Sequence, residues 1–222
     1  VAMWALIPAI VSGLLTLFVR ENFVKPKKVD VKIKVKHPPL PLPLKRSITL
    51  LVLIQLTNIP DVLLLLRLHD IGFSTQGVVL SYMLFSAVTV LAAFPGGAIA
   101  DKYSPRIVYA VGLVAFAAAY ATLGLTQNHS VALIALALYG LFPALTDGVG
   151  KAWIAGLSEA THRGRAQGVY QASMNFAVLG AGIWGGALWS KGPTQWPLII
   201  AASGALIGGI VLATGHLRRS RS

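Results

Sequence analysis

The polar side chains that could do chemistry in this sequence are few, and they lie where almost everything around them is apolar. Gln55, Asn58 and Asp61 recur at i, i+3 and i+6, with Thr57 beside them and Pro60 just before the acid. On a helix these are neighbouring positions. Pro60 removes an amide donor, so a backbone carbonyl is freed where the polar groups gather. Further on, Tyr139, Pro143 and Asp147 share one apolar run, and Lys151 follows Asp147 by four residues, the favourable order for a helical ion pair. Gln167, Tyr170, Gln171 and Asn175 fall at i, i+3, i+4 and i+8, a polar stripe on one helical face. A carboxyl among Leu63, Leu64 and their neighbours is costly unless it meets a cavity or a partner. Asp61 is therefore expected to bind a cation, a proton or a polar solute, or to tie two helices together. For Asp147 with Lys151 a local structural pair is the leading expectation. The Gln171/Asn175 stripe fits a solute path or bonds between helices equally well.

The elements that must hold these groups are membrane spans. The 222 residues are 55% hydrophobic and only 12% charged, with a mean hydropathy of +0.71, about half the charge of an ordinary soluble domain. Apolar runs of about 20 residues cross a bilayer as helices. They are expected at 1–19, 48–68, 78–100, 107–125, 131–150, 166–189 and 198–217. Starting from residue 48, Asp61 lies roughly 20 Å along its span, inside the hydrocarbon. The 19 Lys and Arg against 7 Asp and Glu could suggest nucleic-acid binding. All except Arg67 and Lys191, however, lie in or beside alternate loops, so the positive-inside rule accounts for them and no nucleic acid is expected. Arg67, near an outer turn, is expected to snorkel outward.

The first loop is long and basic, with Arg20, Lys25, Lys27, Lys28, Lys32, Lys34, Lys36, Lys45 and Arg46. Its centre, residues 29–36, alternates apolar and charged side chains as a strand would, and is expected to be an extended cationic linker. His37 to Pro43 then forms a stiff, proline-rich segment. Gly180, Gly182, Gly185 and Gly186 suit close helix packing or bending. There is no cysteine, no nucleotide-binding glycine loop, no paired histidine ligand set and no nucleophile elbow. The sequence reads as a non-enzyme with neither metal nor cofactor.

The most charged short loop, Gly97-Ala98-Ile99-Ala100-Asp101-Lys102-Tyr103-Ser104-Pro105-Arg106, joins two spans. Gly96 and Gly97 allow helix ends to approach, Ser104 suits an N-cap and Pro105 the first helical position. Asp101 is expected to cap the following helix. The pattern resembles the signature loop of the major facilitator superfamily, Gly-x-x-x-Asp-Arg/Lys-x-Gly-Arg-Arg/Lys. Gly97, Asp101, Lys102 and Arg106 match it; Ser104 and Pro105 depart from it. The Asn58-Ile59-Pro60-Asp61 segment and the run from Tyr139 to Ala152 are similar to bacterial members of that superfamily.

The resemblance implies an all-α, polytopic transmembrane bundle, a six-helix half with 3+3 inverted repeats, in which the signature loop acts as a conformational gate. It also implies the layout: a leading transmembrane helix at 1–19, the sixth of twelve; a basic cytoplasmic linker at 20–46; a six-helix C-terminal half at 47–217; and a cytoplasmic tail at 218–222. A missing N-terminal half, the lipid bilayer and a small-molecule substrate are the implied partners, and the bacterial inner membrane the implied location. The function implied is secondary active transport by alternating access; the apolar neighbours of Asp61, which disfavour its charged form, add the expectation of proton coupling through it; a non-transporting receptor or scaffold of the same fold is the alternative. The substrate or proton path would include Asp61, Asn58, Gln55, Tyr139, Asp147, Gln171 and Asn175.

The topology is testable because the chain carries no cysteine of its own. A single cysteine at Ile33 or Ser220 should label only from the cytoplasm and one at Gln127 only from outside; reversed labelling at any of them would overturn the proposed spans.

Overall fold

The computed structural model describes residues 39–219, with side chains to Gly215. The leading helix at 1–19, the linker up to residue 38 with its alternating 29–36 stretch, and residues 220–222 lie outside the described residues. Among those described there are helices and no strands. They are α1 (Leu42–Gln55), α2 (Asp61–Asp70), α3 (Thr75–Lys102), α4 (Pro105–Leu125), α5 (His129–Tyr139), α6 (Leu141–Gly156), a 3-10 turn at Ala160–His162, α7 (Arg163–Lys191) and α8 (Gln195–Arg219).

Local chemistry sets the boundaries. Ser74 caps α3 by accepting from the Gly77 amide at 3.2 Å, and Asn128 caps α5 by accepting from the Ser130 amide at 2.9 Å. Helix α1 starts at Leu42 and takes Pro43 into its first turn, so the helix begins inside the segment read as linker. Four stretches are long and apolar enough to cross a membrane: Thr75–Lys102, Pro105–Leu125, His129–Gly156 and Gln195–Gly215. The other two expected spans differ for separate reasons. Residues 48–68 are not one helix, because α1 stops at Gln55 and α2 starts at Asp61. Helix α7 is continuous and long, but its polar stripe lowers its apolar character.

Helix α4 is the axis of the bundle. It packs along α8 and against α5 and α6, while α3 lies on α5 and α6 and α7 on α1. Its buried side chains include Leu113, Phe116, Tyr120 and Leu123. By contrast, α3 and α7 turn large apolar groups out of the described bundle, Phe94 and Phe176 among them.

Arg67 does not snorkel. It is 3% exposed and folds back onto the C-terminal end of α4: Nε donates to Leu123 O at 3.0 Å, and Nη2 to Gly124 O at 3.2 Å and Thr126 O at 3.1 Å. Nη1 reaches Thr194 Oγ1, in the turn before α8, at 3.5 Å. The last carbonyls of a helix lack intrahelical donors and carry the negative end of its dipole. A planar five-donor guanidinium satisfies several of them at once.

Arg67→Met should therefore cost about 1–3 kcal/mol of stability through stranded carbonyls, read as a lower thermal midpoint in detergent. Arg67→Lys should recover little of it, since an ammonium cannot span the same fork. Full recovery by Lys would mean that charge alone matters there.

Candidate functional site

The break at Thr57-Asn58-Ile59-Pro60 organises the interior. The ring of Pro60 would clash with the carbonyl of Leu56 in a continuous helix and offers it no amide, so the chain leaves α1 and restarts at Asp61. Backbone groups released in an apolar interior must find partners, and they do. Trp184 Nε1 on α7 donates to Leu56 O at 2.8 Å, and Tyr120 Oη on α4 donates to Ile59 O at 3.2 Å. Thr57 Oγ1 donates to Ile54 O at 2.7 Å.

Glycines let other helices reach this irregular backbone. A Cβ at Gly185 would sit 2.8 Å from Ile59 Cγ2, and one at Gly204 would sit 2.5 Å from Thr57 Cγ2. Gly182 lies against Pro60 and Gly180 against Leu56, whereas Gly186 faces open space.

Asp61 is the first residue of α2, so its carboxyl lies at the positive end of a half-helix. Its Oδ1 accepts from Tyr139 Oη, the last residue of α5, at 2.6 Å, a distance typical of a charge-assisted O–H···O bond. Tyr139 is fixed by rings on every side. Phe85 stacks on it at 4.9 Å and Tyr120 meets it edge-on at 5.3 Å. Just beyond Tyr139 the chain bends: Pro143 cannot donate to the Tyr139 carbonyl, and Thr89 Oγ1 of α3 crosses to Gly140 O at 3.1 Å. Two interrupted helices thus meet at the Asp61–Tyr139 bond. The middle member of the sequence triplet is set apart, since Asn58 lies in the break with its Oδ1 buried and without a hydrogen-bond partner among the described residues.

The remaining predicted residues fall into two clefts. Gln55, Asp147, Gln171 and Asn175 line one of about 180 Å³, together with Lys151, Tyr109 and Tyr170. Gly97 and Asp101 line another of about 370 Å³ between α3 and α6, which Asp147 also borders. Asp61 lines neither. Gln55, Asn58 and Asp61 therefore do not share one helical face, because the helix ends between the first and second. Asp147 and Lys151 do not come within the 4.0 Å of an ion pair; both face the smaller cleft. Gln167 Nε2, at the inner end of the α7 stripe, donates to Lys151 O at 2.7 Å.

The signature loop also differs from its sequence reading. Asp101 and Lys102 are the last two residues of α3, and Asp101 does not cap α4. Ser104 occupies the N-cap position, yet its hydroxyl makes no capping bond. Gly96 approaches Ala144, but Gly97 has nothing near it. Arg106 Nη1 donates to Gly215 O at 3.3 Å, and its guanidinium lies 5.3 Å from the centre of the Trp153 ring.

Sequence reasoning missed Tyr120 and Trp184. Each is a polar-tipped aromatic in a small-residue span, and a hydroxyl or indole N–H held in an apolar interior needs an acceptor. That was the available signal.

Fold and site together define a helical membrane protein with interrupted helices and a polar interior. The chain belongs to the major facilitator superfamily: the profile of that family, described as Major Facilitator Superfamily, matches residues 47–222. Among its relatives is an uncharacterized MFS-type transporter of Methanocaldococcus jannaschii, 25% identical over 131 residues, or 59% of this chain and 33% of that protein. Another is the puromycin resistance protein pur8 of Streptomyces alboniger, 31% identical over 144 residues, or 63% of this chain and 28% of that protein. The match thus spans about a third of the length of these relatives.

Tyr120→Phe should cost about 1–3 kcal/mol by leaving Ile59 O without a donor, seen as a lower unfolding temperature in detergent. Unchanged stability would mean that the break closes by some other bond.

Proposed function

We infer that this chain is the C-terminal portion of a secondary active transporter, which moves a small solute through alternating access coupled to protons at Asp61. The carrying observation is the bond between Asp61 and Tyr139 at 2.6 Å, made where two interrupted helices meet. Discontinuous helices at the membrane midplane favour ion and solute sites, because half-helix ends and released backbone groups supply charge complementarity. A carboxyl held there exchanges one proton with whichever side is open, and Tyr139 is the group that answers to its charge. Two clefts that Asp61 does not line supply the solute path: Gln55, Asp147, Gln171 and Asn175 in one, Asp101 and Gly97 in the other. Asn58, with its unpartnered oxygen, is a further acceptor on that path. Gly97, Asp101, Lys102 and Arg106 form the gating loop on the cytoplasmic side of a plasma membrane, where the C-terminus also lies.

An N-terminal half completes the translocation path. The Streptomyces relative is named for resistance to puromycin, which makes puromycin the first solute to try. The competing reading, a receptor or scaffold of the same fold, gives Asp61 a folding role alone.

Asp61→Asn keeps the size and an acceptor for Tyr139 but removes the titratable proton. In proteoliposomes of the intact protein it should abolish uphill accumulation driven by a proton gradient and spare downhill exchange. Full uphill accumulation by the variant would return Asp61 to a structural role.

A further inference from the structure

The N-terminal ends of α1 and α4 meet at a pocket of about 290 Å³, lined by Leu42, Pro43, Arg46, Ser47, Leu50 and Arg106. It lies at the end of the bundle where Arg106 reaches Gly215, opposite the end held by Arg67. Four features there are complementary to an anion. Two arginines line the pocket and, among the described residues, no acidic one does. Neither helix has an acidic residue in its first turn or a side-chain cap, so neither compensates its own positive dipole end. Arg106 is held in place by the Gly215 carbonyl and the Trp153 ring, among its contacts, and Arg46 makes no ion pair or hydrogen bond among the described residues. Finally, Ser47 is only 5% exposed, yet its hydroxyl has no partner among the described residues. A hydroxyl of a buried residue that opens onto a pocket, with no protein partner among the described residues, is a group that a bound ligand can satisfy.

The other lining groups indicate which anion. Leu42, Pro43 and Leu50 make an apolar wall, and Leu42 is exposed to the surroundings of the bundle. The space equals that of about ten waters at roughly 30 Å³ each, more than a phosphate alone requires. Guanidinium forks match phosphate oxygens in pairs. Basic pockets between helices at a membrane surface are suited to phospholipid head groups. We propose that this pocket binds the phosphate of an anionic phospholipid, with Arg46, Arg106 and the Ser47 hydroxyl on its oxygens and the glycerol end against Leu42 and Leu50. The site is separate from Asp61 and its clefts and does not depend on which solute is moved.

The test is native mass spectrometry of the intact protein released from nanodiscs of phosphatidylcholine mixed with phosphatidylglycerol. The wild type should retain phosphatidylglycerol in preference to phosphatidylcholine. Arg46→Gln should cut that retention about tenfold, the loss of one charge-assisted contact. Arg46→Lys should fall between. Lys45→Gln removes the same charge from the adjacent exposed position outside the pocket and should change retention less than about twofold, as expected of a screened surface charge. Both Arg46 and Lys45 are exposed, and gel filtration of each variant checks its fold. Equal losses for Lys45→Gln and Arg46→Gln would overturn the proposal in favour of diffuse surface attraction. Stabilisation by glycerol 3-phosphate without any retention of phosphatidylglycerol would overturn it in favour of a soluble phosphate ester.

Discussion

The structure depends on one constraint: backbone amides and carbonyls have no water to turn to inside an apolar bundle, so any interrupted helix must be repaired by side chains from elsewhere. The break before Asp61 is repaired from two helices at once, Trp184 of α7 and Tyr120 of α4. The bend at Pro143 is met by Thr89 of α3. Those repairs decide which helices must touch, and hence where the interior polar groups lie. Close packing follows from the same need. Gly182 and Gly185 bring α7 onto the break, and Gly204 brings α8 onto Thr57; any larger side chain there would separate donors from acceptors.

Chemistry is left to whatever the repairs do not use. The Asp61 carboxyl faces Tyr139, and Asn58 keeps an acceptor without a donor. The side chains of Asp147, Lys151, Gln171 and Asn175 open onto a cleft. The interior thus has its broken backbone bridged by other helices, while a few side chains keep polar groups that the bridging does not use.

Much of this was legible in the sequence because hydropathy and loop charge report directly on the bilayer. The positions of most helices, the membership of Asp61 and Tyr139 in the polar interior, and the small-residue faces follow from composition and spacing. The break did not, because Pro60 in an apolar run is compatible with a kink or a full interruption. Partners on α4 and α7 decide between these, and they are remote in sequence. Arg67 was misread for the same reason. A long cation near a helix end snorkels only if no carbonyl cluster lies closer, and the cluster it found belongs to α4, with Leu123 as its nearest acceptor at 3.0 Å. Asp101 was assigned to cap α4, but α3 runs on through Lys102 and carries the carboxyl away from the next helix start.

Helix α4 is held at both extremities by arginines that belong to different parts of the fold. Arg67 grips its C-terminal carbonyls, and Arg106, at its N-terminal end, grips α8 near Gly215. A rod pinned at both tips cannot slide along its neighbour without breaking charge-assisted bonds. The joint between α1 and α2 and the turn between α5 and α6 are held instead by uncharged donors, Trp184 and Tyr120 at the first and Thr89 at the second. The charged bonds thus sit at the two ends of α4, and the weaker neutral ones flank the Asp61 carboxyl.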